Sequence, residues 1–245
     1  MVELSLLIPV RQRRGHLHGI LPLLCANQLF VDGRCQIIVV ESDNEPLHAQ
    51  LCAALRTNYI FDSAAGPFHK TRLLNLALRA ARGKLIAPYD VDLVPYGSTF
   101  ERHLLLSSSN SNMLVAGFRM MTPSEELPTD LDFLLERLTV APENSTSALR
   151  KWLIDGERFG VVPHFDRDRL EALGGWDEGF VGWGCEDQDM IERYVASGVS
   201  LVVSPDILYL HLAHPPDPAW AEAEHRQANV DRYYSKRSDA TSVLR

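Results

Sequence analysis

Over the first hundred residues, short apolar runs alternate with longer stretches whose apolar residues recur every three or four positions. Leu4–Val10, Gln36–Val40, Tyr59–Phe61 and Leu85–Tyr89 carry β-branched or aromatic side chains and read as strands. Between them His16–Leu29, Leu47–Arg56 and Lys70–Arg82 read as helices; in the last, Leu73, Leu74, Ala77, Leu78 and Ala81 make one apolar stripe. This alternation predicts an α/β fold, a mixed, mainly parallel sheet flanked by helices, with ligands bound beyond the carboxyl ends of the strands. Three of those ends carry polar groups: Arg11 and Arg13, then Glu41-Ser42-Asp43, then Asp90 and Asp92.

Periodicity is weaker in the middle of the chain. Ser107–Asn112 reads as a loop, Asp130–Leu138 as a helix and Ala141–Ser147 as a connection. Regular patterns return with a strand at Phe159–Val162 and a helix at Asp166–Leu173. A Gly/Trp-rich loop, a helix at Glu186–Ser197 and a strand at Val199–Val203 follow, and the charged tail beyond Pro218 reads as helical.

The 245 residues, 46% hydrophobic and 23% charged, suffice for a soluble globular protein with a sizeable core. A net charge of -8 argues against nucleic-acid binding, since no broad basic surface is available to neutralise phosphates. Four cysteines without CxxC spacing read as reduced thiols of a cytoplasmic protein. The apolar start lacks a basic segment before it and stops at Pro9-Val10-Arg11, so it reads as a buried strand rather than a signal or membrane span. Peripheral attachment to a membrane is compatible with the same pattern.

Candidate chemistry gathers at three places. Asp90 and Asp92, two apart at a strand end, are expected to project from the same side, and a divalent cation would relieve their repulsion. Mg²⁺ or Mn²⁺ suits such hard oxygen ligands and could neutralise a diphosphate. A strand-end turn with two solvated acids is the plainer reading of that pair taken alone. The segment Gly174–Asp187 interleaves five glycines with Trp176, Phe180 and Trp183, as a backbone that a ligand approaches closely, with rings suited to sugar faces. Glu186 and Asp187 open the next helix on the face of Met190, Ile191 and Tyr194, where a carboxylate could deprotonate a hydroxyl. Acids also simply complement the helix dipole, but that leaves the preceding glycines and tryptophans unexplained. Finally, His211 and His214 could reach one cation if the chain turns there, while Arg11, Arg13 and Lys70 are placed to hold a diphosphate or a base.

Together these residues resemble the β-1,4-galactosyltransferase family of the GT-A, or nucleotide-diphospho-sugar transferase, fold. The likeness rests on Ile8-Pro9-Val10-Arg11-Gln12-Arg13, Phe68-His69-Lys70-Thr71-Arg72-Leu73-Leu74-Asn75, Asp90-Val91-Asp92-Leu93-Val94-Pro95, Gly182-Trp183-Gly184-Cys185-Glu186-Asp187 and His211-Leu212-Ala213-His214, in the family's order. It implies a single GT-A domain over 1–245, with a nucleotide-sugar half to about 110, an acceptor half over about 111–215 and a helical tail. It implies a transferase that moves a hexose or N-acetylhexosamine from a UDP-sugar to a glycan or other hydroxyl acceptor, with inversion and Mn²⁺ or Mg²⁺. Asp92, His214 and His211 would be metal ligands. Pro9, Arg11, Arg13, Lys70, Asp90 and Val91 would line the donor site. Trp183, Gly184, Glu186 and Asp187 would form the acceptor site, with Asp187 the catalytic base. Cys185 stands where the family has glycine, and Phe159-Gly160-Val161-Val162 has one glycine where it has two.

Gly174-Gly175-Trp176-Asp177 also resembles the retaining polypeptide N-acetylgalactosaminyltransferases and the chondroitin-type polymerases, so stereochemistry and donor sugar stay open. Two rivals need weighing. A nucleotidyltransferase would also use a metal carboxylate pair, but usually has a glycine-rich basic loop near its start, where this chain has only Gly15. A non-catalytic carbohydrate-binding module has no need for both a carboxylate pair and a base at a helix start.

Overall fold

A computed structural model describes residues 1–63, 66–121, 161–212 and 222–243. In chain order the elements are β1 (Leu4–Val10), α1 (Arg14–Ala26), α2 (Gln28–Val31), β2 (Cys35–Ser42), α3 (Ala49–Ala54), β3 (Asn58–Asp62), α4 (Lys70–Ala80), β4 (Leu85–Pro88) and β5 (Leu93–Pro95). They continue with α5 (Thr99–Ser109), β6 (Met113–Met121), β7 (Val161–Asp166), α6 (Arg167–Ala172), α7 (Glu186–Ala196), β8 (Ser200–His211) and α8 (Glu222–Val243). The expected helix at Asp130–Leu138 and connection at Ala141–Ser147 lie outside the described residues.

The strands form one sheet in the order β3-β2-β1-β4-β7-β6-β8-β5. The first four are mutually parallel, β6 pairs parallel with β8, and β7 and β5 are antiparallel to their neighbours. This mixed, mainly parallel sheet meets the expectation from strand–helix alternation. All seven residues of β1 are buried, because both faces of the sheet are covered. Leu4, Leu6 and Ile8 share one core cluster with α1 and α5, while Leu7 points oppositely into a cluster with α4 and α7.

Two expectations fail. The serines of Ser107–Asn112 do not begin a loop: α5 runs through Ser109, with Phe100, His103, Leu104 and Ser107 buried at helical spacing. The stripe escapes notice because two of its four members are polar. Strand β8 runs to His211, well past the expected Val199–Val203. Its register against β6 jumps between Gly117 and Phe118, so that residues from Pro205 to Ile207 bulge out of the pairing. The N-cap of α6 is ordinary, Asp166 Oδ1 accepting from the Arg169 amide at 3.1 Å.

Candidate active site

The carboxyl ends of β1, β2 and β4 face the start of α4 and of α7, and the polar side chains converge there. At the end of β1, Arg11 is buried and spends three N–H groups on the protein. Nε reaches Ser42 O at 2.7 Å, Nη2 Ser42 Oγ at 2.9 Å and Nη1 Gly66 O at 2.6 Å, with the guanidinium 5.7 Å from the Phe68 ring. Gln12 and Arg13 follow at φ 58° and 30°, a left-handed pair rare for such residues. His48 Nε2 holds this bend at Gln12 O, 2.8 Å away, and buried Glu41 accepts the amides of Leu47 and His48 at 3.0 Å. Glu41 is thereby committed to shaping the loop. Pro9 is buried within β1, paired with Val40.

Lys70, the first residue of α4, is the hub. Its Nζ lies 3.2 Å from Asp90 Oδ1, 3.4 Å from Glu186 Oε1, and 3.2 and 3.1 Å from the two Asp187 oxygens. Burial works to discharge the ammonium, but Asp187, Asp90 and Glu186 together outweigh it and raise the pKa. Asp90 is gripped from the other side by Arg119 Nη1 of β6 at 2.7 Å. Burial opposes its ionisation, yet Lys70 and Arg119 hold the carboxyl below the usual range. Glu186 differs: burial and then the neighbouring Asp187 raise its pKa, against the pull of Lys70.

The aspartate pair departs from its expected geometry. Strand β4 stops at Pro88, so Asp90 and Asp92 occupy a turn, closed by the Leu93 amide on Asp90 O at 3.1 Å. They therefore need not share a side. Asp90 faces Lys70 and Arg119, and Asp92 faces His211, whose Nε2 lies 3.0 Å from Asp92 Oδ1. Buried Val91 separates them. The charge on Asp90 meets two basic side chains, Lys70 and Arg119. Arg119 escaped the reading of the sequence; a lone arginine amid Met113–Met121, otherwise free of charge, was the signal for it.

Asp92 and His211 are both buried, and antiparallel pairing of Leu93 with His211 fixes them beside each other. A carboxylate and an imidazole side by side fit two positions of a divalent cation. His214, the third expected ligand, lies outside the described residues. Four carboxylates (Asp90, Asp92, Glu186, Asp187) against two permanent cations (Lys70, Arg119) leave an excess of two negative charges when all are ionised, which favours a cation there.

The Gly/Trp loop is organised differently from expectation. Trp176 and Phe180 are core side chains, and among its three aromatics only Trp183 is partly exposed. Several glycines make room for protein rather than ligand: a Cβ on Gly175 would lie 2.5 Å from Asn75 Oδ1. The start of α4 bolts the loop in place. Phe68 O accepts the Gly182 amide at 3.1 Å, Thr71 Oγ1 donates to Phe180 O at 3.0 Å, and Asn75 Nδ2 donates to Trp176 O at 2.8 Å. The Phe68–Asn75 segment thus carries Lys70 into the carboxylates and anchors the loop that leads to them. Cys185, at φ 64°, turns the chain into α7, and Gly184 donates its amide to Glu186 Oε2 at 3.0 Å. Glu186 is buried, whereas the Asp187 side chain is 32% exposed, so solvent and substrate can reach it. A small cavity is lined by Lys70, Asp90, Arg119, Trp176 and Asp187 among others.

Residues 147–215 match the family model described as the N-terminal domain of galactosyltransferase. That stretch contains the Gly/Trp loop, α7 and both histidines. No curated protein matches the chain in sequence. Among solved structures, the mannosyltransferase PcManGT from Pyrobaculum calidifontis, in complex with GDP-Man and Mn²⁺, superposes with a TM-score of 0.67 at 18% identity, covering 97% of this chain and 64% of that one. The catalytic domain of Drosophila β1,4-galactosyltransferase 7, complexed with xylobiose, gives 0.51 at 19% identity, covering 83% and 65%. S. aureus TarS gives 0.61 at 13%, covering 87% and 37%. The chain thus spans less than two thirds of each of these. Among the described residues no helix is long and apolar enough to cross a membrane. The chain thus shares the GT-A fold of these glycosyltransferases, and its residues 147–215 match the galactosyltransferase family model.

Proposed function

We propose that the chain transfers a hexose or N-acetylhexosamine from a UDP-sugar to a hydroxyl group of a glycan or similar acceptor, with Mn²⁺ or Mg²⁺ and inversion at the anomeric carbon. The observation that carries this reading is Lys70, which joins Asp90 on the β4 side to Glu186 and Asp187 at the opening of α7, within 3.4 Å. The donor diphosphate would lie toward Lys70, Arg119 and the bend at Arg11–Arg13, where the basic groups gather. The acceptor would approach Trp183, Gly184 and Glu186. Asp187, the more exposed carboxylate of α7, would take the proton of the attacking hydroxyl as its oxygen bonds to the anomeric carbon and the sugar–phosphate bond breaks. A divalent cation held by Asp92, His211 and His214 would supply neutralisation of the charge on the departing nucleotide. Lys70, 3.1 Å from Asp187, would keep its carboxylate aimed until the acceptor arrives.

Release of free sugar from UDP-galactose, UDP-N-acetylgalactosamine and GDP-mannose, with and without Mn²⁺, tests the reading. GDP-mannose belongs in the panel because the mannosyltransferase superposed above holds GDP-Man. Metal-dependent cleavage of a UDP-sugar supports the proposal, and cleavage of GDP-mannose alone reassigns the base. Release of pyrophosphate, or no cleavage of any donor, refutes it.

A further inference from the structure

Helix α8 approaches the Gly/Trp loop so closely that its side chains fill the space beside two loop glycines. A Cβ on Gly179 would meet the Arg232 guanidinium at 2.1–2.5 Å. One on Gly182, whose φ is +72°, would meet the His225 side chain at 3.0–3.2 Å. Between these contacts Asn229, buried, sends both Nδ2 hydrogens to the loop backbone, reaching Val181 O at 2.8 Å and Trp183 O at 3.0 Å. Those carbonyls flank Gly182, whose own amide is held by Phe68 O. The Arg226 guanidinium stands 5.8 Å from the Trp183 ring centroid, and Arg232 pairs with Asp177 at 2.8 Å.

The backbone that Asn229 grips also orients the carboxylates. One residue beyond Trp183, the Gly184 amide holds Glu186 Oε2, and Cys185 then turns the chain so that Asp187 meets Lys70. We propose that Asn229 is a positioning residue for the acceptor side of the site. By fixing Val181–Trp183 before any ligand binds, it presets the loop and, through Gly184, the direction of Glu186 and Asp187. This rests on the acceptor-side reading of Trp183, Glu186 and Asp187 given above. A loop ordered in advance removes an ordering cost that the acceptor would otherwise meet on binding.

Amide hydrogen exchange on the full chain tests this, comparing wild type, Asn229→Ala and the control Gln227→Ala, each with and without UDP and Mn²⁺. Gln227 sits on the same helix but bonds only to exposed Asp231 among the described residues. In Asn229→Ala, exchange at Gly182 and Gly184 should accelerate about tenfold, as expected for two lost hydrogen bonds, while β1 and β2 keep wild-type protection. UDP-dependent protection near β1 should persist. Hydrolysis of UDP-galactose per folded molecule should show a lower kcat at an unchanged KM, a split that simple loss of fold does not produce. Gln227→Ala should behave as wild type. Unchanged exchange at Gly182 and Gly184 would mean that α4 holds the loop alone and overturns the proposal. Acceleration spread evenly through β1 and β2 overturns it too, since α8 would then serve only global stability. Wild type without UDP-dependent protection would sink the UDP-sugar reading instead, with the exchange comparison still deciding the role of Asn229.

Discussion

Replacing Lys70 by methionine keeps the length and bulk of the side chain while removing the one cation that, among the described residues, touches Asp90, Glu186 and Asp187 together. Each contact of 3.1–3.4 Å is worth about 5 kcal/mol at an effective dielectric of ~20, and the desolvation of a buried ammonium offsets much of that. The net cost of breaking such a cluster is about 3–5 kcal/mol with the carboxylates left ionised. They need not stay ionised. Glu186 already has a raised pKa from burial and Asp187, and losing the opposing pull of Lys70 raises it further. A group that binds its proton more tightly when folded stabilises the fold below its unfolded pKa and loses that stabilisation as pH rises through the folded pKa. The variant should therefore approach wild-type stability near pH 4.5 and fall behind by about 1.4 kcal/mol per pH unit above it, until the full cost is reached. Urea unfolding of both proteins at several values between pH 4.5 and 8 measures the difference directly. A deficit that is the same at every pH would refute the coupling of Lys70 to the protonation of Glu186.

Three further outcomes are expected. Asp187→Asn should lower turnover by ~10²–10⁴ while donor binding persists, and NMR of the wild-type product should show inversion; near-normal turnover, or a retained configuration, removes Asp187 as base and favours the polypeptide-transferase type of mechanism. Asp92→Ala should abolish the Mn²⁺-dependent part of UDP binding in calorimetry with the fold intact, and full metal-independent activity in this variant would dismiss the proposed metal site. The stacked, buried imidazoles of His103 and His164, with centroids 3.3 Å apart, should destabilise the fold in acid. Burial pushes the His103 pKa down to about 4 and lowers that of His164, so the neutral forms support the fold fully above pH 6.5. That support should drain away, by about 3 kcal/mol for His103 alone, as pH falls toward 4; an equal acid loss in His103→Phe would contradict this assignment.

What could be read from the chain beforehand follows from burial. The strands β1 and β2 are covered on both faces, so they stand out as unbroken apolar runs. Helix α4 shows its stripe because every member is apolar. Polar residues inside buried stripes blurred the rest: His103 and Ser107 hid α5, Arg119 marked a charge inside β6 without revealing its partner, and Pro205-Asp206 hid the continuation of β8 past Val203. The residue types of the site were visible in the motifs. Their pairings were not, because a motif spacing cannot show that Asp90 and Asp92 sit in a turn and face opposite partners. The glycines of the Gly/Trp loop misled for a related reason: close approach was the right physics, but several of the approaching atoms belong to Asn75, His225 and Arg232.

The contacts that make the site also set when it can exist. Lys70 and Asp187 are 117 residues apart, and the bolts that Thr71 and Asn75 of α4 make to the loop span 109 and 101. Asp92 gains His211 only when β5 pairs with β8, whose partner β6 comes from much earlier in the chain. Closing such long loops costs entropy before any contact repays it, so these junctions belong to the late steps of folding. The β1–β2–β3 unit, by contrast, is built from nearby segments and can form while the rest is still being synthesised. A ribosome that has not passed Asp187 therefore carries a chain with its β1–β2–β3 unit in place and its lysine hub without two of its three acids.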